Sequence, residues 1–333
     1  MLIRSPDVTF STLGDSSILE NSETRLTFTG ASSRLCTAIW SQLDLRESVE
    51  EIAGQTGYSA RSVSDFLAVL SEDHFALDTG CDALLDADAA LALTRRCAAF
   101  WNRHVMTQPF PRLLFSGQAT PSHVLGWGIE FHIFVKAARD YMARGASRID
   151  GPTPALRGLW DHFVDEAFHD AIFREGLIGC GVPAGNIDNR IPLPSTTALL
   201  NHLWEAAEDG DLAYASVFAL MQPLTEPPSE ENVRARYAFL KEVYPDAAPL
   251  FDAFEQHDLI DASLEHASLT IEPLLRARGG VSRHEMTLIT QTIQRTADCF
   301  DLFFAGIQSH YRNRLTIDYR QIPRIDAMLP AEA

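Results

Sequence analysis

From Leu91 to about Arg314 apolar residues recur every three or four positions in run after run, which is the period of an amphipathic helix. Proline and glycine collect between the runs, in "TQPFPRLLFSGQATPS", "CGVPAGNIDNRIPLPS" and "QPLTEPPSEEN". The pattern predicts a mainly α protein, with a bundle of about seven helices over residues 90–315. Residues 1–82 read differently. "TRLTFTG" alternates like a short strand, and "SSRLCTAIWSQL" follows as an amphipathic helix. Next come a short helix closed by Gly57 and a longer one beginning near Ser59 and Ser62, with Val63, Phe66, Leu67 and Leu70 as its apolar stripe. That order predicts a helix-turn-helix ending in a short strand or wing.

Three bundle segments place chemistry on their faces. In "LWDHFVDEAFHDAIFREGLIGCG", read as one helix, His162, Glu166 and His169 share a face, while Phe173 sits in its middle. Phe173 favours a helix buried on more than one side, against the alternative of a solvated polar face. In "APLFDAFEQHDLIDASLEHASLTIEPLL", His257 and Asp261 lie one turn apart inside a stripe of Leu250, Ala253, Phe254, Ile260, Leu264, Ile271 and Leu275. A carboxylate buried there unpaired would cost several kcal/mol, so a cation, a metal or the histidine itself must compensate it. Glu265 and His266 fall beside or opposite that stripe. In "PSHVLGWGIEFHIFVKAARDYMARG" the core face is Trp127, Phe131, Phe134, Ala138 and Tyr141. Glu130 lies at its edge, either as a pocket carboxylate or as a structural salt bridge, and His132 reads as a surface residue.

Carboxylates and imidazoles drawn from several helices suit non-haem iron or manganese. Zinc in a structural role would more often recruit cysteines, and of the five only Cys180 falls in these segments, 11 positions beyond His169. The formal net charge of -18 argues against nucleic acid or an anionic membrane as partner. It also discounts the helix-turn-helix as a DNA reader, because the longer helix carries Arg61 against Asp65 and Glu72. A small packing module and a peptide- or protein-docking domain are the remaining readings. The scattered cysteines, the lack of a secretory signal pattern and the lack of a span of roughly 20 apolar residues make the cytoplasm the expected setting.

Residues 1–82, through "IWSQLDLRESVEEIAGQTG" and "FALD", resemble the PqqD-like peptide-recognition domains. The runs "QPFPRLLFSGQATPSHVLGWGIEFHIFVKAARDYMARG", "FVDEAFHDAIFREGLIGCGV", "IPLPSTTALLNHLWEAA" and "HDLIDASLEHA" together resemble the haem-oxygenase-like iron oxidases, relatives of the TenA and PqqC proteins. The resemblance implies a metal site with Glu166, His169, His257 and Asp261 as ligands, one or two irons as cofactor, and O2 as co-substrate. Two positions depart from the family. Leu264 stands where a histidine is expected, with Glu265 and His266 just beyond, and Gln222 stands where a glutamate is expected, with Glu226 only after Pro223. Glu130, His162 and Gln222 then become residues lining the pocket. The expected activity is oxidation or oxygenation of a small amine, amino-acid-derived or peptide- or carrier-bound substrate, with a homodimer open as the assembly. A PqqC-like, metal-free pocket using acid–base histidines and a non-catalytic peptide- or ligand-binding adaptor are the alternatives.

Overall fold

The computed structural model describes residues 2–4, 8–21, 24–43, 48–73, 75–78, 84–148, 153–222, 229–263 and 270–312. The chain separates into two compact units, Met1–Asn102 with Leu275–Gln294, and Arg103–Leu274 with Arg295–Ala333.

The first unit opens with four strands, β1 (Leu2–Arg4), β2 (Thr9–Leu13), β3 (Ser16–Glu20) and β4 (Arg25–Thr29). Helices α1 (Gly30–Trp40), α2 (Val49–Thr56) and α3 (Ala60–Glu72) follow, then strand β5 (Ala76–Asp78) and the start of α4 (Ala87–Met106). Strands β2, β3 and β4 form an antiparallel meander in which Leu19 faces Phe10 on one side and Leu26 on the other. Gly14, at φ 57°, supplies the backbone for the two-residue turn between β2 and β3. The alternation in the sequence points to β4 alone. β2 escapes it because its residues are mostly exposed and polar, leaving no apolar side to read. β5 pairs antiparallel with β1, Leu77 opposite Ile3.

The helices of this unit begin and end where their capping residues dictate. Ser48 and Glu51 close a reciprocal capping box on α2, and Gly57 ends it at φ 73°. The Ser59 hydroxyl accepts from the Ser62 amide to start α3. Val63, Phe66, Leu67 and Leu70 of α3 are buried in one core with Leu19, Ile39, Trp40 and Phe75. Arg61 is paired by Asp65 on the exposed side of α3.

The second unit contains α5 (Pro109–Phe115), α6 (Pro121–Ser147), α7 (Thr153–Glu166), α8 (Asp170–Gly179), α9 (Ala184–Asp188), α10 (Pro194–Glu208), α11 (Asp211–Phe218), α12 (Glu230–Val243) and α13 (Ala248–Ser263). α14 (Glu272–Arg278) and α15 (Arg283–Tyr311) complete the chain. The helices outnumber the expected seven because long periodic runs are broken. Residues 159–181, read as one helix, divide at Ala167–His169. There the amides of His169, Ala171 and Ile172 bond to carbonyls three residues back, those of Glu166, Phe168 and His169, which tightens the turn and lets α8 set off separately. The run from Ala248 to Leu275 divides as well, between α13 and α14.

Close packing of α8 on α13 depends on glycine. A Cβ on Gly176 would stand 2.8 Å from that of Ala253 and 2.9 Å from the carbonyl oxygen of Pro249. On α6, a Cβ at Gly128 would meet Leu250 of α13 at 2.5 Å. Trp160, Val164 and Phe168, spaced four apart, are exposed, so burial of the α7 segment on more than one side fails for this face. No helix among the described residues is long and apolar enough to cross a membrane.

Candidate metal centre

Glu166 is the last residue of α7, and the tight turn after it delivers His169 to the start of α8 on the same side. His169 Nδ1 lies 3.1 Å from Glu166 Oε2. α13 crosses there and presents His257 and Asp261, one turn apart, with His257 Nδ1 3.2 Å from Asp261 Oδ2 and His257 Nε2 3.8 Å from Glu166 Oε2. The two imidazole rings meet edge to face at 4.7 Å. Glu166, His169, His257 and Asp261 each offer one donor atom, and the four atoms lie within 4.8 Å of one another. The two tightly packed helices therefore bring together residues some 90 positions apart in sequence, by the contact that Gly176 permits.

The floor of the site is aromatic. Phe173 contacts the His257 ring at 5.2 Å and the Phe254 ring at 4.7 Å, and Phe254 stacks on Trp127 at 4.2 Å. Against this apolar floor the charges lean on each other. Burial pushes the Asp261 carboxyl up to about 6, despite the nearby His257 charge. Burial also opposes charge on His257, but Asp258, Glu166 and Asp261 hold its imidazolium and raise it to about 10. Glu166 is held well below the usual carboxylate range: burial works against its charge, and His169 and His257 more than offset it.

The other expected site residues fall into three places. His162 is buried beside the cluster, its Nε2 3.8 Å from Glu166 Oε1 and its ring edge-on to Phe218 at 4.8 Å. Gln222 hydrogen-bonds to Thr270 and not to the four donors. Its amide brackets Thr270, accepting from the Thr270 N–H at 2.8 Å and donating to the Thr270 hydroxyl at 2.6 Å, and that hydroxyl lies 3.3 Å from His162 Nδ1. Glu130 is wholly buried in a separate network, with Arg190 and Tyr311 on one oxygen and the Leu193 amide and Thr196 hydroxyl on the other. Of its two readings, the structural salt bridge is the one this geometry fills. Glu265 and His266, with Leu264 and Glu226, lie outside the described residues.

His132 corrects a sequence expectation. Read as a surface residue, it is only 1% exposed, and burial lowers its pKa to about 4. Two contributors to the site went unread in the sequence. Asp258 lies 3.7 Å from His257 Nδ1 and also accepts from Tyr237, and its place next to His257 was the available signal. Thr270 carried no signal, because its role depends on Gln222 arriving from 48 residues away.

Iron is the group that the resemblance implies, and one observation tests whether these residues suit it. Asp261 Oδ1 is buried and accepts no hydrogen bond. Such an oxygen is costly to leave open and is free to take a cation. Two imidazoles and two carboxylates also form a mixed N/O donor set suited to ferrous or ferric iron. The residues fit.

Neither a family model nor a curated protein matches the chain. Solved structures do. A TenA homologue from Pseudomonas syringae pv. tomato is similar with a TM-score of 0.52 and 14% identity, over 70% of this chain and 100% of its own. A domain of unknown function with a haem oxygenase-like fold, from Shewanella denitrificans, gives 0.50 and 16%, over 69% of this chain and 95% of its own. The fold is haem-oxygenase-like. At these identities the likeness covers the fold alone. Within this haem-oxygenase-like fold the four donors come from α7, the turn before α8, and α13.

Proposed function

We propose that the protein is an iron-dependent, O2-consuming oxidase or oxygenase acting on a small amine, amino-acid-derived or peptide-linked substrate. The observation that carries this reading is the convergence of Glu166, His169, His257 and Asp261 within 4.8 Å, with one Asp261 oxygen buried and unpaired. These four residues would hold the metal as one ion or, with further ligands, two. Bound iron would supply the redox chemistry with O2 that no protein side chain here can provide. The chain's own contribution is to position and exclude. Phe173, Phe254 and Trp127 wall the site with apolar surface, keeping bulk water from the reacting face, and His162 flanks Glu166 on the side away from His257. Residues 1–82 would dock the peptide or carrier that delivers the substrate.

The test is anaerobic loading with Fe(II), followed by metal analysis and optical spectra before and after O2. Uptake of one or two equivalents, lost in Glu166→Ala and His257→Ala, is the expected result. No uptake, or uptake indifferent to both substitutions, overturns the reading. One observation favours a second reading. Without metal, His257 as an imidazolium between Glu166 and Asp261 is an internally balanced acid–base group, as a cofactor-free oxidase would need. O2-dependent turnover that survives exhaustive chelation would select it.

A further inference from the structure

Gln222 is not idle for standing where a carboxylate ligand was expected. We infer that Gln222, acting through Thr270, fixes the tautomer of His162 and so makes His162 a hydrogen-bond donor to Glu166 instead of a further metal ligand. The meaning of this for the site rests on the metal-centre reading above. The tautomer itself does not.

The proton positions follow from donor and acceptor rules. The Thr270 backbone N–H can only donate, so the Gln222 side-chain atom 2.8 Å from it is the carbonyl oxygen. This fixes the amide's orientation and turns its NH2 toward the Thr270 hydroxyl at 2.6 Å, where it donates. With that lone pair taken, the hydroxyl has its own proton to place. Among the described residues its remaining partner is His162 Nδ1, at 3.3 Å. Donation to Nδ1 requires that nitrogen to be bare, and a neutral imidazole then carries its proton on Nε2. Nε2 is the nitrogen that faces Glu166, 3.8 Å from Oε1. That gap is longer than a hydrogen bond and suits a bridging water or a small closure of the Glu166 carboxylate. In either case Nε2–H presents a proton, not a lone pair, to the site.

The consequence is a division of labour around Glu166. Oε2 faces His169 and His257 and is the oxygen available to a cation, while Oε1 faces the His162 Nε2–H, which through a water or a small closure would hold the carboxylate in that rotation. His162 is thus a positioning residue. The competing arrangement has the Thr270 hydroxyl accept from both neighbours and send its proton elsewhere, which would place the His162 proton on Nδ1 and leave Nε2 open as an extra ligand.

The two arrangements are separable in metal-free protein, so the outcome is independent of whether iron binds. Histidine labelled with 15N, observed above about pH 8 where an ordinary imidazole is neutral, reports which ring nitrogen is protonated. The expected spectrum assigns Nε2–H to His162, the assignment resting on the loss of its signals in His162→Gln. Gln222→Glu is the decisive variant. Its carboxylate still accepts from the Thr270 N–H and now also from the hydroxyl. The hydroxyl then donates to the new carboxylate in place of His162 and can only accept from the ring, so His162 should shift to Nδ1–H. Thr270→Ser keeps the hydroxyl and should keep Nε2–H, which guards against a variant that merely misfolds. An Nδ1–H tautomer in the unaltered protein, or no change in Gln222→Glu, overturns the inference.

Discussion

Two buried carboxylate sites in the second unit differ in how completely they are paired. Glu130 is saturated: Arg190, Tyr311, the Thr196 hydroxyl and the Leu193 amide occupy both of its oxygens. Asp261 and Glu166 share their charge with two histidines, and one Asp261 oxygen is left with nothing. The first arrangement joins α6 to the segment between α9 and α10, and to the end of α15, and leaves no capacity for a ligand. The second leaves one carboxylate oxygen without a hydrogen-bond donor, the position that the proposed cation would take. A buried acid by itself therefore says little about function, and the state of its last lone pair says more.

Glu130→Ala takes from the buried Arg190 its carboxylate partner, and removing one partner of a buried pair costs about 3–5 kcal/mol. Denaturant unfolding should show a loss of that order, with metal uptake by the surviving folded fraction unchanged. Glu166→Ala should abolish uptake. It also costs stability, because it removes a carboxylate that holds the His257 imidazolium, but less than Glu130→Ala, since Asp258 and Asp261 remain beside His257 and the Glu166 side chain is partly exposed. If both variants lose stability equally, the contrast between a structural and a functional acid fails.

His132 sharpens it, because an open hydrogen-bond position can also be pure cost. Both of its ring nitrogens are buried and unpartnered, and it belongs to no group of ligating side chains among the described residues. Burial lowers its pKa to about 4; Lys136 and Arg174 act in the same direction, and Asp170 and Asp188 oppose them. Its folded pKa lies below the unfolded value of about 6.5, so the unfolded chain binds the extra proton between those limits. The contribution is intact above pH 6.5 and is lost as pH falls through 4, by up to about 3 kcal/mol. Unfolding midpoints in His132→Leu should therefore fall less between pH 7 and pH 4 than in the unaltered protein. An equally steep acid limb in the variant would exclude His132 as its source.

The sequence displays one of these two acid sites better than the other. His257 and Asp261 are visible because both fall in line with Leu250, Ala253 and Phe254 on one helical face, and α13 carries them, although the single helix read from Ala248 to Leu275 is two. Glu166 and His169 are visible as types, but the geometry that joins them is not, because the break at Ala167–His169 contains no proline or glycine to signal it. For Glu130 the sequence offers a structural salt bridge as one of two readings, but not its partners. Its partners Arg190, Thr196 and Tyr311 lie 60, 66 and 181 residues away, and their meeting is a product of tertiary packing. The same reason hides Thr270, and it places His132 inside although its position on the helix reads as a surface one.

The spacing of the open site is set by packing, so a methyl group should disturb it. Gly176→Ala puts a Cβ within 3 Å of both the Pro249 carbonyl oxygen and the Ala253 side chain, and overpacking of this kind costs about 1–3 kcal/mol. Thermal unfolding should register that loss, together with weaker metal uptake as α8 and α13 are pushed apart. Gly185→Ala, where a Cβ meets nothing within 4 Å, is the matched control and should change neither.

The smallest expected effect is also the most pointed. Asp261 has a pKa raised to about 6, above the ordinary carboxylate value, so its ionised form is disfavoured in the folded state at neutral pH. That penalty is present above pH 6 and disappears as pH falls below the unfolded pKa near 4. Asp261→Asn removes it but also removes an attraction to the His257 imidazolium, and the side chain is 35% exposed, so solvent screens both. The two effects oppose each other, and metal-free Asp261→Asn should match the unaltered protein in stability at pH 8 to within about 1 kcal/mol. Its metal affinity should nonetheless drop by one to two orders of magnitude, roughly, because a neutral amide is a poor ligand for a hard cation. A residue that contributes almost nothing to the folded protein and a great deal to the cation is the signature of a site kept open for one. Equal losses in stability and affinity would instead make Asp261 a second Glu130.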